Sequence, residues 1–131
     1  MRRYALVATG GGLGTLCRFG IAESGSALHI GSLAAILFIN VTGCFLISFL
    51  HFVSDPSGHI YLRPNHRLFL LVGFCGGYTT FSSFSLISFA AVTHGRWADL
   101  WLNIVLSHFL CLVSVFLGAA AARVYPRLLR R

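Results

Sequence analysis

Lysine is missing from this chain, and acids are nearly so: Glu23, Asp55 and Asp99 are the only three in 131 residues. All three lie in loops or at the edge of an apolar run. A proton-coupled cation exporter needs a carboxylate at membrane depth to carry the exchange, and here there is none. Paired carboxylates and a Ser/His/Asp arrangement are missing at the same depth, so an enzyme is hard to build. Cysteine is sparse: Cys17, Cys44, Cys75 and Cys111 each stand alone inside an apolar run. Without C-x-x-C spacing they indicate neither a zinc site nor a disulfide framework, and they are expected to be small buried thiols.

What is present is apolar. Hydrophobic residues make up 56% of the chain and charged residues 10%. A soluble domain of this length could not hide that surface, so the chain belongs in a bilayer. The net charge is +7, and all ten basic residues are arginine. They sit singly or in pairs at the ends of apolar runs and form no basic stripe. That pattern excludes nucleic acid and fits anchoring at lipid headgroups.

The runs predict one all-α transmembrane domain over residues 1–131, with spans at about 4–21, 33–53, 68–92 and 99–122. Residues 23–32 read as a polar loop. Residues 54–67 form the longest loop, where Asp55-Pro56-Ser57-Gly58 is a turn signal. His94-Gly95-Arg96-Trp97 is a tight turn with an interfacial tryptophan. The basic start Met1-Arg2-Arg3 suits a signal peptide, but the glycines of the first run and Arg18 near its end favour a span. His51 and His108 could ligate a haem, but one lies near a span end and the other near a span middle.

The stretch that organises the chain is Gly73-Phe74-Cys75-Gly76-Gly77-Tyr78-Thr79-Thr80-Phe81-Ser82-Ser83-Phe84-Ser85. A glycine pair followed by two threonines weakens a helix, so the third span is expected to break near its middle. Backbone freed at membrane depth survives only inside protein or beside a polar cavity, and broken helices are where ion sites form. Phe81 and Phe84 share a helical face; they either pack simply or offer electropositive ring edges to an anion. Asn40 in the second span is either a helix–helix hydrogen bonder or an amide on an anion path. Gly10 and Gly14 stand in GxxxG register for close helix approach. Arg18 either snorkels to the interface or serves as a structural or anion-attracting charge. Asn103, Ser107 and Cys111 recur every fourth residue and make one mildly polar stripe, with His108 beside it. An inventory of hydroxyls, amides and one arginine favours an anion as permeant.

Gly11-Gly12-Leu13-Gly14 with Arg18, then Asn40-Val41-Thr42-Gly43-Cys44-Phe45, then the organising stretch itself, resemble the Fluc/CrcB fluoride channel family in order, spacing and span count. The resemblance covers essentially the whole chain. It implies an antiparallel dual-topology dimer of four-helix subunits, with two pores along the subunit interface. It implies a structural sodium ion, not transported, where two broken third helices cross, held by the backbone carbonyls of Gly76 and Thr79. Gly77 and Arg18 would be structural. Phe81 and Phe84 would line the fluoride path, with Asn40, Thr80, Asn103 and Ser107 as its polar groups. Three positions depart from the family pattern: Ile87 replaces a frequent glutamate, Asn103 a tyrosine and Cys111 a serine.

The implied function is passive export of fluoride across the bacterial plasma membrane, which lowers fluoride toxicity. The different-class alternative is a non-conducting structural or assembly subunit of a larger membrane complex. Arg2, Arg3, Arg63, Arg67 and the four C-terminal arginines fall on one side of the membrane, which favours both termini inside. An antiparallel homodimer is expected in spite of that bias; pairing with an oppositely oriented homologue is the other arrangement.

Overall fold

The computed structural model describes residues 1–54 and 62–129, with side chains through residue 125. The turn signal Asp55-Pro56-Ser57-Gly58 and the side chains of Arg127, Arg130 and Arg131 lie outside the described residues.

The described chain is helical and contains four stretches long and apolar enough to cross a membrane: Arg2–Ala27, Ser32–Val53, Pro64–Thr93 and Trp97–Tyr125. The first is helix α1 (Arg2–Ala27) and the second α2 (Ser32–Val53). The third is composite. A short turn α3 (Pro64–Arg67) leads into a π-helix (Leu68–Cys75), then α4 (Gly76–Tyr78), a break, and α5 (Phe81–Thr93). The fourth is α6 (Trp97–Leu129).

Several span limits differ from the sequence reading; the third span, for one, begins at Pro64 and not at 68. Residues 23–27 were expected in a loop, yet α1 continues through Ala27. Ser24 donates its hydroxyl to the Gly20 carbonyl at 2.7 Å, so the polar residues here bond along the helix instead of ending it. Leu28 caps the helix, and His29 beyond it takes φ 57° so that the Ile30 N–H reaches back to the Gly25 carbonyl at 2.8 Å. The same closure ends α5: Gly95 takes φ 68° and the Arg96 N–H meets the Ala91 carbonyl at 2.8 Å. The last span outruns its expected end at 122 and reaches Tyr125: the alanine run 119–122 is the best of helix formers, and the helix itself continues to Leu129 in spite of Pro126.

The break expected near the middle of the third span falls at the threonine pair. Gly76 is still helical (φ −65°, ψ −33°). The chain leaves the helix at Thr79 (ψ 156°) and Thr80 (φ −147°, ψ 113°). The glycines serve packing instead. A Cβ on Gly77 would run into the Gly11 backbone, and one on Gly10 would sit 2.5 Å from the Phe69 carbonyl oxygen. A Cβ on Gly14 would lie 2.8 Å from the Tyr78 nitrogen. Thus α1 lies almost backbone to backbone on the first half of the third span.

Beyond the break, α5 leaves α1 and packs on α6, while α2 makes its most extensive contact with α6. That contact is held by two reciprocal hydrogen bonds. Ser48 Oγ donates to the Val115 carbonyl at 2.7 Å, and Ser114 Oγ to the Val41 carbonyl at 2.6 Å. The burial pattern is that of a membrane protein. Small and polar residues such as Gly14, Gly43, Ser48, Ser107 and Ser114 are buried, while Leu16, Phe19, Phe109 and Phe116 face outward. In water such exposed apolar faces would be untenable; in lipid they are the solvated surface.

Candidate functional site

The break is built by diverting two backbone donors. In a continuous helix the Thr80 N–H would bond the Gly76 carbonyl, four residues back. Instead it donates to Asn40 Oδ1 at 2.8 Å. Asn40 Nδ2 in turn donates to the Thr80 carbonyl at 3.1 Å, so one amide on α2 satisfies both polar groups of the extended residue. The Ser83 N–H would bond the Thr79 carbonyl. It goes to Thr80 Oγ1 at 3.2 Å, the N-cap of α5. The carbonyls of Gly76 and Thr79 therefore both lose their helical donor. The Gly77 carbonyl is treated differently, accepting from Thr15 Oγ1 at 3.3 Å. Thr79 Oγ1 folds back on the Cys75 carbonyl at 3.0 Å.

Beside the break lies an open groove of about 470 Å³. Asn40, Thr79, Thr80, Phe81, Phe84 and Ser107 stand on its wall, drawn from α2, the break, α5 and α6. The wall includes no carboxylate and no guanidinium. The positive end of the α5 dipole opens there, at Phe81. The two phenylalanine rings are 5.4 Å apart and tilted by 35°. Phe81 is 74% exposed, whereas Phe84 is half-buried with the His108 ring edge-on at 5.8 Å.

The remaining expected residues are placed around this groove and not on its wall. Asn103 is buried between α5 and α6. Its Nδ2 donates to Ser88 Oγ at 2.9 Å and to the Phe84 carbonyl at 3.4 Å, while its Oδ1 accepts from Ser107 at 3.2 Å. It thus fixes Ser107, which does reach the wall. Gly76 is exposed, and a Cβ there would meet nothing within 4 Å. Gly77 faces α1. Arg18 is half-buried on α1, well short of the helix end, and no described carboxylate lies within ion-pair distance of it. Its place in the middle of a helix, and not near its end, follows from the extension of α1.

Sequence reasoning missed several partners. Ser88 carries no motif signal of its own, and its bond to Asn103 needs the α5–α6 crossing. The hydroxyls of Thr42 and Tyr78 meet at 2.8 Å across α2 and α4. His108 was noted beside the polar stripe; its Nδ1–H donates to the Ile104 carbonyl at 2.7 Å and its ring stands on the groove wall. Cys44 and Cys111, far apart in sequence, are neighbours across α2 and α6.

Comparison with known proteins places this arrangement. Residues 5–119 match the family model described as CrcB-like protein, Camphor Resistance (CrcB). The chain is 45% identical to a protein of Bradyrhizobium diazoefficiens named fluoride-specific ion channel FluC 1, over 97% of this chain and 89% of the relative. It is 38% identical to a fluoride-specific ion channel FluC of Paramagnetospirillum magneticum, over 97% of this chain and all of the relative (100%). A third protein of that name, from Opitutus terrae, is 40% identical over 93% of both chains. With four membrane-crossing stretches and a family match over nearly its whole length, the protein is a multi-pass bacterial membrane protein and belongs to the CrcB family.

Proposed function

We propose that the protein is a fluoride-selective channel that lets fluoride leave the cytoplasm passively and so limits its toxicity. The names of its relatives support the permeant. The observation that carries the reading is the groove at the break, where neutral donors, a helix N-terminus and two phenylalanines meet without any fixed charge. Fluoride is small and tightly hydrated, so a path must replace water with donors. Asn40 spends one amide hydrogen on Thr80 and keeps the other. Ser107 can turn its hydroxyl from Asn103 to a passing ion. The ring edges of Phe81 and Phe84 add electropositive carbon–hydrogen groups. A carboxylate on the wall would repel the ion, and an arginine would hold it too long.

The working unit in this reading is an antiparallel dual-topology homodimer. Its support is the uncovered face carrying Phe81 and Gly76, which a second copy would complete. A structural sodium ion fits the same place: Gly76 and Thr79 present hard carbonyl oxygens deprived of their helical donors. Those carbonyls, from both copies, would hold it, and when bound it supplies positive potential beside the path. Labelling of the C-terminus that found every copy on one membrane face would replace the homodimer by a pair of oppositely oriented homologues.

Fluoride efflux from reconstituted vesicles, with chloride as control, tests the function. Fluoride is expected to leave and chloride to stay. Phe81→Ile is expected to abolish most of the flux while the dimer persists on size exclusion. Unchanged flux in that variant would sink the assignment of the path. Absence of flux from the purified wild-type protein, with strict co-purification of a partner, would favour an assembly subunit instead.

A further inference from the structure

We propose that Cys44 and Cys111 form a two-thiol site for a soft thiophilic metal ion, mercury(II) fitting best, on the wall of the groove where a bound ion blocks anion passage. Both residues are half-buried, both are free thiols, and both reach the groove. One comes from α2 and the other from α6, and their side chains are neighbours. The seam between those helices is pinned close to the pair by two hydrogen bonds. Ser114, one turn beyond Cys111, donates to the carbonyl of Val41, almost one turn before Cys44, at 2.6 Å. Ser48, one turn beyond Cys44, donates to the Val115 carbonyl at 2.7 Å. The thiols are therefore held together by contacts other than their own.

Ligand number and surroundings select the ion. Among the described residues no third His, Cys, Asp or Glu joins the pair to make a metal-binding group. Tetrahedral zinc lacks its ligands, whereas soft ions accept two sulfurs in a line. Ile47, Leu112 and Val115 make the adjoining wall apolar. A neutral complex is favoured there, and one mercury(II) with two thiolates carries no net charge. Binding of mercuric chloride breaks two S–H and two Hg–Cl bonds, forms two Hg–S bonds and releases two protons and two chloride ions to water; no electron moves. That an occupant blocks flux rests on the groove being the ion path; that the pair binds metal does not.

The test uses the full-length protein with mercuric chloride. Wild type is expected to show a sulfur-to-mercury charge-transfer band and to lose two free thiols per bound ion. Cys44→Ser and Cys111→Ser should each lose the two-thiol mode. In vesicles, mercury should reduce wild-type fluoride efflux to the level of empty vesicles, and a dithiol should restore it. Cys44→Ser/Cys111→Ser, compared with its own mercury-free rate, should keep its flux. An equal band in the double variant overturns the site and moves the reaction to Cys17 or Cys75. A two-thiol band without any loss of flux overturns the block. A two-thiol band in a protein that conducts no fluoride even without mercury upholds the metal site and overturns the channel reading instead.

Discussion

The two halves of the third span are held by opposite means. Before the break, the chain lies on α1 with side chains removed: Gly10, Gly11 and Gly14 meet Phe69, Gly73, Phe74, Gly77 and Tyr78 at backbone distance. After it, α5 is held by polar side chains: Asn40 on Thr80, and Asn103 on Ser88 and the Phe84 carbonyl. The first half gains dispersion contact and has no gap for water or ions. The second half cannot close so tightly, because its side chains stand between helices and leave a groove. A membrane protein can thus build a rigid seam and a grooved wall from one helix by changing what fills the space beside it.

Adding bulk to the dry seam should do the most damage. Gly14→Leu forces a side chain against Phe74 and Tyr78 backbone atoms that cannot retreat. A loss of about 3 kcal/mol or more is expected, seen as the disappearance of the folded peak on size exclusion. If the variant folds like wild type, the seam is not the rigid half. Next comes the polar side. Asn40→Ala removes two hydrogen bonds and strands the N–H and carbonyl of Thr80. Denaturation in detergent should report a loss of roughly 2 to 3 kcal/mol, with fluoride flux reduced. Full flux with unaltered stability would show that the break does not need its clamp. The smallest effect belongs to Gly12, which lies on α1 but points away from the seam, with nothing within 4 Å of a Cβ. Gly12→Ala should be neutral or stabilise by up to about 1 kcal/mol. A severe defect there would extend the close contact to a face now read as open.

Much of this architecture is legible in the residues. The four apolar runs gave the spans, and the GxxxG pair gave the face of α1 that meets another helix. The break was expected in the stretch of two glycines and two threonines, and it occurs at the threonine pair. Glycine lowers the cost of leaving a helix but does not compel departure, and Gly77 is held helical by its contact with Gly11. The π-helical turns of Leu68–Cys75 have no counterpart in any periodicity, since the segment is apolar on every side. Asn40 was seen as an amide needing partners. Which partners it takes depended on the Thr80 peptide, forty positions away.

Scarcity of charge and the lengths of the apolar runs were enough to commit this chain to a bilayer, because transfer free energy sums along the sequence whatever the neighbours. The motif order was enough to commit it to a family. Folding alone decided which carbonyls go without a helical donor, which amide sits behind the wall and which on it, and that two solitary cysteines face one another. Those outcomes depend on distances between helices, and such distances are fixed by packing across the seams, not by any local run of residues.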